Sequence, residues 1–258
     1  MQLYFKEFGS GEPLIILHGL FGSSDNWMSI APKLASQSHI FTLDLRNHGQ
    51  SPHSDEMTYA LMARDVVEFL DSQKLESAMV LGHSMGGKVA MRLALDFPER
   101  VRRLIVADMA TRAYEPEYEG YFQGMLALDF QKLRSRREME EALEPAVPNL
   151  IVRRFLLKNL AHDPDDSYRW KINLRGIHKN YPHICEAITS TKPFDKPALF
   201  LYGGKSNYVS DKDKPVIRAL FPQAQFELIP QAGHWMHADA PEEFVGRVGS
   251  FLSADDAD

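Results

Sequence analysis

The chain has 258 residues, 44% of them hydrophobic, and a net charge of −6 from 29 Lys and Arg against 35 Asp and Glu. That length supports a sizeable core in one main domain, while the acidic balance argues against a nucleic-acid partner, which needs a concentrated basic face. A single cysteine, Cys185, excludes an intramolecular disulfide, and no apolar run approaches the ~20 residues that cross a bilayer.

Met1 to Phe8 alternate like a strand and lack the charged and apolar regions of a signal peptide, so a cytoplasmic protein without a membrane partner is the simplest expectation. Short β-rich runs follow at Leu14–Leu17, Ile40–Leu45, Met79–Leu81, Leu104–Ala107, Ala198–Tyr202 and Phe226–Ile229. They read as parallel strands buried on both faces. Helical patterns lie between them at Asn26–Ala35, at Tyr59–Ser72 with Ala63, Val66, Val67 and Leu70 apolar, and at Gly86–Phe97, which Pro98 stops.

This alternation predicts an α/β fold with a doubly wound, mostly parallel sheet. After Asp108 the pattern breaks, and only helix-like or irregular segments, such as Leu150–Leu160 and Tyr168–His178, fill the stretch before strands resume. The expected organisation is a core of residues 1–110 and 194–258 with a helical cap of residues 111–193 inserted. The cap's aromatic residues, including Tyr118, Tyr121, Phe122, Phe155 and Tyr181, suit a lid over an apolar pocket, although most are expected to form the cap's own core. The basic cluster Arg134, Arg136 and Arg137 sits beside Glu138, Glu140 and Glu141, so it reads as a solvated helix with mixed charge pairs. Cys185 lacks basic sequence neighbours and reads as a packing residue.

The chemistry concentrates at Val80-Leu81-Gly82-His83-Ser84-Met85-Gly86-Gly87, a G-x-S-x-G run between a strand and a helix. A serine on so sharp a turn needs small neighbours, which Gly82 and Gly86 supply, and its hydroxyl stands exposed as a nucleophile. A hydroxyl is a weak nucleophile near neutral pH, so Ser84 needs a general base and a group that orients it. The order serine, acid, histidine points to Gly233-His234 after the last strand, with His237 as the rival base.

The acid is commonly found after the strand that here ends at Tyr202-Gly203-Gly204, but Lys205-Ser206-Asn207-Tyr208 carries no carboxylate. Asp108, where the preceding strand ends, is the chosen candidate, with Asp211 and Asp213 as alternatives. The oxyanion donors are assigned to the backbone amides of Met85 and Leu20, with Phe21 the neighbouring choice in His18-Gly19-Leu20-Phe21-Gly22. His18 reads as a buried brace for this loop, and Asp44 to Ser51 as a turn fixed by side-chain to backbone bonds.

His18-Gly19, Asp44-Leu-Arg-Asn-His-Gly49-Gln-Ser51, Gly82-His-Ser-Met-Gly86-Gly87 and Gly233-His234 together make the chain resemble the α/β-hydrolase superfamily over essentially its whole length. Asp25-Asn26-Trp27, Trp170-Lys-Ile-Asn-Leu174 and Gly233-His-Trp235 add a narrower resemblance to the YbfF-type bacterial esterases. The resemblance implies carboxylic-ester hydrolysis, in some members acyl-CoA thioesterase activity, and places the acid after the earlier strand, which supports Asp108. The expected activity is therefore that of a serine esterase acting on a small-molecule ester or thioester, with no cofactor or metal required. C–C hydrolase, lactonase or lyase chemistry on the same fold stays open, as does a ligand-binding protein with little turnover.

Overall fold

The structure is a computed structural model that describes residues 1–164 and 167–254. Its main sheet has seven strands, β1 (Phe5–Phe8), β2 (Pro13–Leu17), β3 (His39–Leu43), β4 (Ala78–His83), β5 (Val101–Ala107), β8 (Ala198–Gly203) and β9 (Ala224–Ile229), in the order β1-β3-β2-β4-β5-β8-β9. Only β1 is antiparallel, pairing Phe5 with Leu43 and Phe8 with Ile40. The other six run parallel, as expected. A second, two-stranded sheet joins β6 (Leu160–His162) and β7 (Tyr168–Trp170).

The helices are α1 (Ala31–Leu34), α2 (Tyr59–Ser72), α3 (Met85–Asp96), α4 (Glu119–Leu126), α5 (Arg136–Leu143), α6 (Leu150–Leu156), α7 (Leu174–Lys179), α8 (Tyr181–Cys185), α9 (Lys214–Leu220), α10 (Met236–Asp239) and α11 (Pro241–Leu252). Successive strand residues face opposite ways, so β2 sends Leu14 and Ile16 to one layer and Ile15 and Leu17 to the other. The first layer adds Trp27, Ile30 and Leu34 near α1, and Phe244, Val248 and Phe251 from α11. The second packs Val66 and Leu70 of α2 against Val89 and Leu93 of α3. Both faces are therefore covered, as a doubly wound sheet requires.

One expected helix and one helix-like or irregular segment divide into shorter pieces. Asn26–Ala35 divides into a 3-10 turn at Ser24–Trp27 and the single turn α1, where Pro32 is tolerated because first-turn N–H groups have no helical acceptor. Tyr168–His178 divides into β7, whose Tyr168 and Trp170 pair with His162 and Leu160, and α7, which begins where Asn173 Oδ1 accepts the Gly176 N–H. The stretch between β5 and β8 is thus four α-helical segments beyond α4 plus a β-ribbon, and is not wholly helical. In α5, Arg137 pairs with Glu141 at 2.9 Å on an exposed face, matching the mixed-charge reading. No helix among the described residues is long and apolar enough to cross a membrane.

Candidate active site

Six parallel strands converge their carboxyl ends on one edge, and the loops leaving β2, β4, β5, β8 and β9 meet there. Ser84 follows β4 directly, with φ 54° and ψ −120°, in a region where a non-glycine residue is strained. The turn is closed by contacts that tolerate no added carbon: a Cβ on Gly82 would lie 2.1 Å from Gly86 O, and one on Gly86 would lie 2.5 Å from Leu17 O. The Ser84 N–H donates to Ala107 O at 3.0 Å, tying the turn to the end of β5.

His234 lies in the loop after β9, with Nε2 3.0 Å from Ser84 Oγ and Nδ1 2.7 Å from Asp108 Oδ2. A carboxylate can only accept, so Nδ1 carries the proton and Nε2 is free to accept the Ser84 hydroxyl. Asp108 is fully buried, at φ 52° just past β5. A buried carboxylate needs donors, and besides His234 it receives the Gly203 N–H at 3.1 Å and the Ser206 hydroxyl in a short contact. The segment that lacks the usual acid thus contributes a hydroxyl to Asp108.

The rival carboxylates lie elsewhere. Asp211 is exposed and bridges Lys214 at 2.7 Å, while Asp213 accepts the Ser210 N–H and hydroxyl and faces Arg112. His237, the rival base, is buried, stacked on Trp27 with ring centroids 4.6 Å apart, and its burial lowers its pKa to about 4.

Among the described residues the backbone amides of Leu20 and Met85 donate to no internal acceptor, and Met85 opens α3, where first-turn N–H groups have none. Phe21, the alternative donor, is committed, since its N–H goes to His48 Nε2 at 3.3 Å. Phe21 has φ 61°, so His48 holds a strained loop residue. His48 Nδ1–H in turn donates to Arg46 O at 3.0 Å, and burial depresses its pKa to about 3. His18 is the expected brace: Nδ1–H donates to Gly19 O and Nε2 accepts the Leu45 N–H at 3.0 Å, with its pKa lowered by burial to about 4. In the turn after β3, Asp44 accepts the Ser24 and Gln50 N–H groups, and Gly49 at φ 56° leaves room for its carboxylate.

Three side chains at the site escaped the sequence reading. His83 Nε2–H donates to the His234 carbonyl at 2.8 Å, fastening the histidine loop to the elbow. Tyr208 stacks on the His234 ring, centroids 3.9 Å apart and planes 17° apart. Ser206 is the third. His83 sits inside the G-x-S-x-G run, a position from which a role beside the nucleophile could have been suspected. An apolar cavity of about 160 Å3 opens on Ser84, walled by Leu20, Phe155, Leu156 and Trp235. More inserted aromatics reach the site than expected, since Tyr118, Tyr121 and Phe155 line this cavity while Phe122 is core. Among the described residues no cluster of three or more His, Cys, Asp or Glu side chains is placed to hold a metal ion.

The sequence profile of the α/β hydrolase fold matches residues 12–241. The chain belongs to the α/β-hydrolase family. This hydrolase is 40% identical over 257 residues to an sn-1-specific diacylglycerol lipase of Danio rerio, covering 96% of the chain and 80% of that protein. It is 34% identical over 247 residues to the esterase YbfF of Escherichia coli (strain K12), covering 95% and 94% respectively. The solved structure of a marine microorganism esterase superposes with a TM-score of 0.94 at 44% identity, over 97% of this chain and 99% of that one. The resemblance to YbfF-type esterases is therefore met, and the chain is an α/β hydrolase of the esterase and lipase type.

Proposed function

We propose that this hydrolase cleaves carboxylic esters of small to medium acyl groups through an acyl-enzyme on Ser84, with acyl-CoA thioesters as the neighbouring substrate class. The observation that carries the reading is the chain of contacts from Ser84 Oγ to His234 Nε2 at 3.0 Å and from His234 Nδ1 to Asp108 at 2.7 Å, at the mouth of an apolar cavity. In this reading His234 takes the Ser84 proton as Oγ attacks the carbonyl carbon, and the buried Asp108 stabilises the imidazolium that forms. The Leu20 and Met85 amides hold the tetrahedral oxyanion. His234 then protonates the leaving oxygen as the ester bond breaks, and water activated by the same imidazole releases the acid and restores Ser84. The Ser84 proton leaves with the alcohol and a proton from water replaces it, so the cycle needs no co-reactant beyond water.

Residues 111–193 act in this proposal as a cap over the core of 1–110 and 194–258. Tyr118, Tyr121, Val152 and Phe155, which line the cavity beside Ser84, support that role. The net charge of −6 gives no long-range attraction to a polyanionic thioester, which favours an uncharged ester.

The test is steady-state hydrolysis of p-nitrophenyl esters of increasing acyl length beside matching acyl-CoA thioesters, with the wild type and Ser84→Ala in parallel. Activity that is lost by at least about a thousandfold in Ser84→Ala is the expected result. A wild type that turns over none of them would overturn the esterase reading and favour carbon–carbon bond chemistry or binding.

A further inference from the structure

Ser84 borders two compartments. The front one is the cavity of about 160 Å3 that holds the His234 and Trp235 rings. A smaller rear one, of about 50 Å3, runs from Ser84 between Met85, Met109, Ile184 and Cys185 towards the exposed Glu115 and Glu117. Four residues line both: Leu20, Ser84, Tyr118 and Tyr208. The hydroxyls of Tyr118, from the insertion, and Tyr208, from the loop after β8, are hydrogen-bonded to each other. The pair therefore stands on the boundary that the two compartments share beside the nucleophile.

We propose that the Tyr118–Tyr208 pair sorts the two halves of an ester, directing the alcohol into the front compartment and the acyl chain into the rear one, and so limits acyl length. This assignment rests on the acyl-enzyme reading above. His234 must protonate the leaving oxygen, so the alcohol lies on the side that holds its ring, and that ring borders only the front compartment. The acyl carbon bonded to Ser84 Oγ directs its chain away from that side, and the rear compartment is the other space reaching Ser84.

The rear walls suit an uncharged chain. Tyr59 OH donates to Ile184 O and Tyr114 OH to Tyr208 O, each at 2.6 Å, so both hydroxyls are occupied. Burial pushes the Cys185 thiol above its ordinary pKa, which keeps it neutral. Glu115 and Glu117 at the rim repel an acyl group that carries its own carboxylate. The substrate class that fits is a short, uncharged acyl ester of a larger apolar alcohol.

Two ester series separate the compartments. One varies the acyl chain, from p-nitrophenyl acetate through butanoate to octanoate, and the other varies the alcohol, from ethyl through hexyl to benzyl acetate. In the wild type kcat/KM should fall with acyl length and hold or rise with alcohol size. Tyr118→Ala joins the rear compartment to the front one, so it should raise the octanoate-to-acetate ratio by about tenfold or more and shift ratios within the alcohol series by much less. Cys185→Trp, which fills the rear compartment, should lower the butanoate-to-acetate ratio, and it decides the matter if Tyr118→Ala does not fold. A wild type that cleaves octanoate as well as acetate, or a variant that shifts both series alike, overturns the sorting role. Failure of the acyl-enzyme reading would look different: no ester in either series would turn over, and a small fluorophosphonate would not label Ser84.

Discussion

Asp108 carries three donors on two oxygens, and their removal should have unequal effects. Asp108→Asn puts an amide against His234 Nδ1 and favours the tautomer whose Nε2 carries the proton, so Ser84 loses its acceptor. The expected loss in kcat is about 10³ to 10⁴, with the fold intact by circular dichroism. Ser206→Ala removes one donor to the carboxylate but leaves the Gly203 N–H in place, and should reduce kcat by only about tenfold. Asp211→Asn, on an exposed carboxylate bound to Lys214, should stay within about twofold of wild type. Equal losses for Asp108→Asn and Ser206→Ala would contradict this ranking. Ser84 and His234 were legible because a local motif and chain order mark them. Ser206 was not: its partner is 98 residues away, and no local periodicity records a contact of that range. Tyr208 escaped for the same reason, since its stacking on His234 exists only once two strand-end loops converge.

At the scale of elements, the strand–turn–helix of β4, Ser84 and α3 is held by backbone that approaches backbone. A methyl group on Gly86 would meet the Leu17 and His18 carbonyl oxygens at 2.5 Å, and neither can move without displacing β2 and the loop that follows it. Gly86→Ala should therefore cost about 3 kcal/mol or more in urea unfolding, or prevent folding outright. Gly246 inside α11 has nothing within 4 Å of its would-be methyl, so Gly246→Ala should stabilise by up to about 1 kcal/mol. Similar losses for both substitutions would mean that helix propensity, and not close approach, governs the elbow. The same elements show what a sequence can reveal. The six parallel strands were readable from their β-rich runs, and most clearly in β2 and β4, where burial on both faces leaves a nearly continuous apolar sequence. Segments of the insertion were less so: β7 and α7 share one run of mixed periodicity, and only the pairing of Tyr168 and Trp170 with β6 and the Asn173 cap divide it.

Across the whole molecule, several imidazoles lie inside the protein instead of on its surface. His18, His48, His83 and His237 are all buried, and burial lowers the pKa of each. Each is packed where a positive charge has no solvent: His237 between Trp27 and His83, and His18 against His48 with ring centroids 5.0 Å apart. A histidine that binds a proton more weakly when folded leaves the unfolded chain holding more protons below the ordinary pKa of 6.5. Stability must then fall as pH drops from 6.5 to about 4, the folded value for His18 and His237. At full protonation His18 and His237 would each contribute a loss of about 3 kcal/mol. His237→Phe isolates one of these terms, because the substitution keeps a planar ring against Trp27 while removing the titrating group. Thermal melts of the variant and wild type between pH 7 and pH 4 should converge or cross as the pH falls, the wild type losing stability more steeply. Parallel curves would show instead that His237 binds its proton equally in both states, and that acid sensitivity belongs to the other buried histidines.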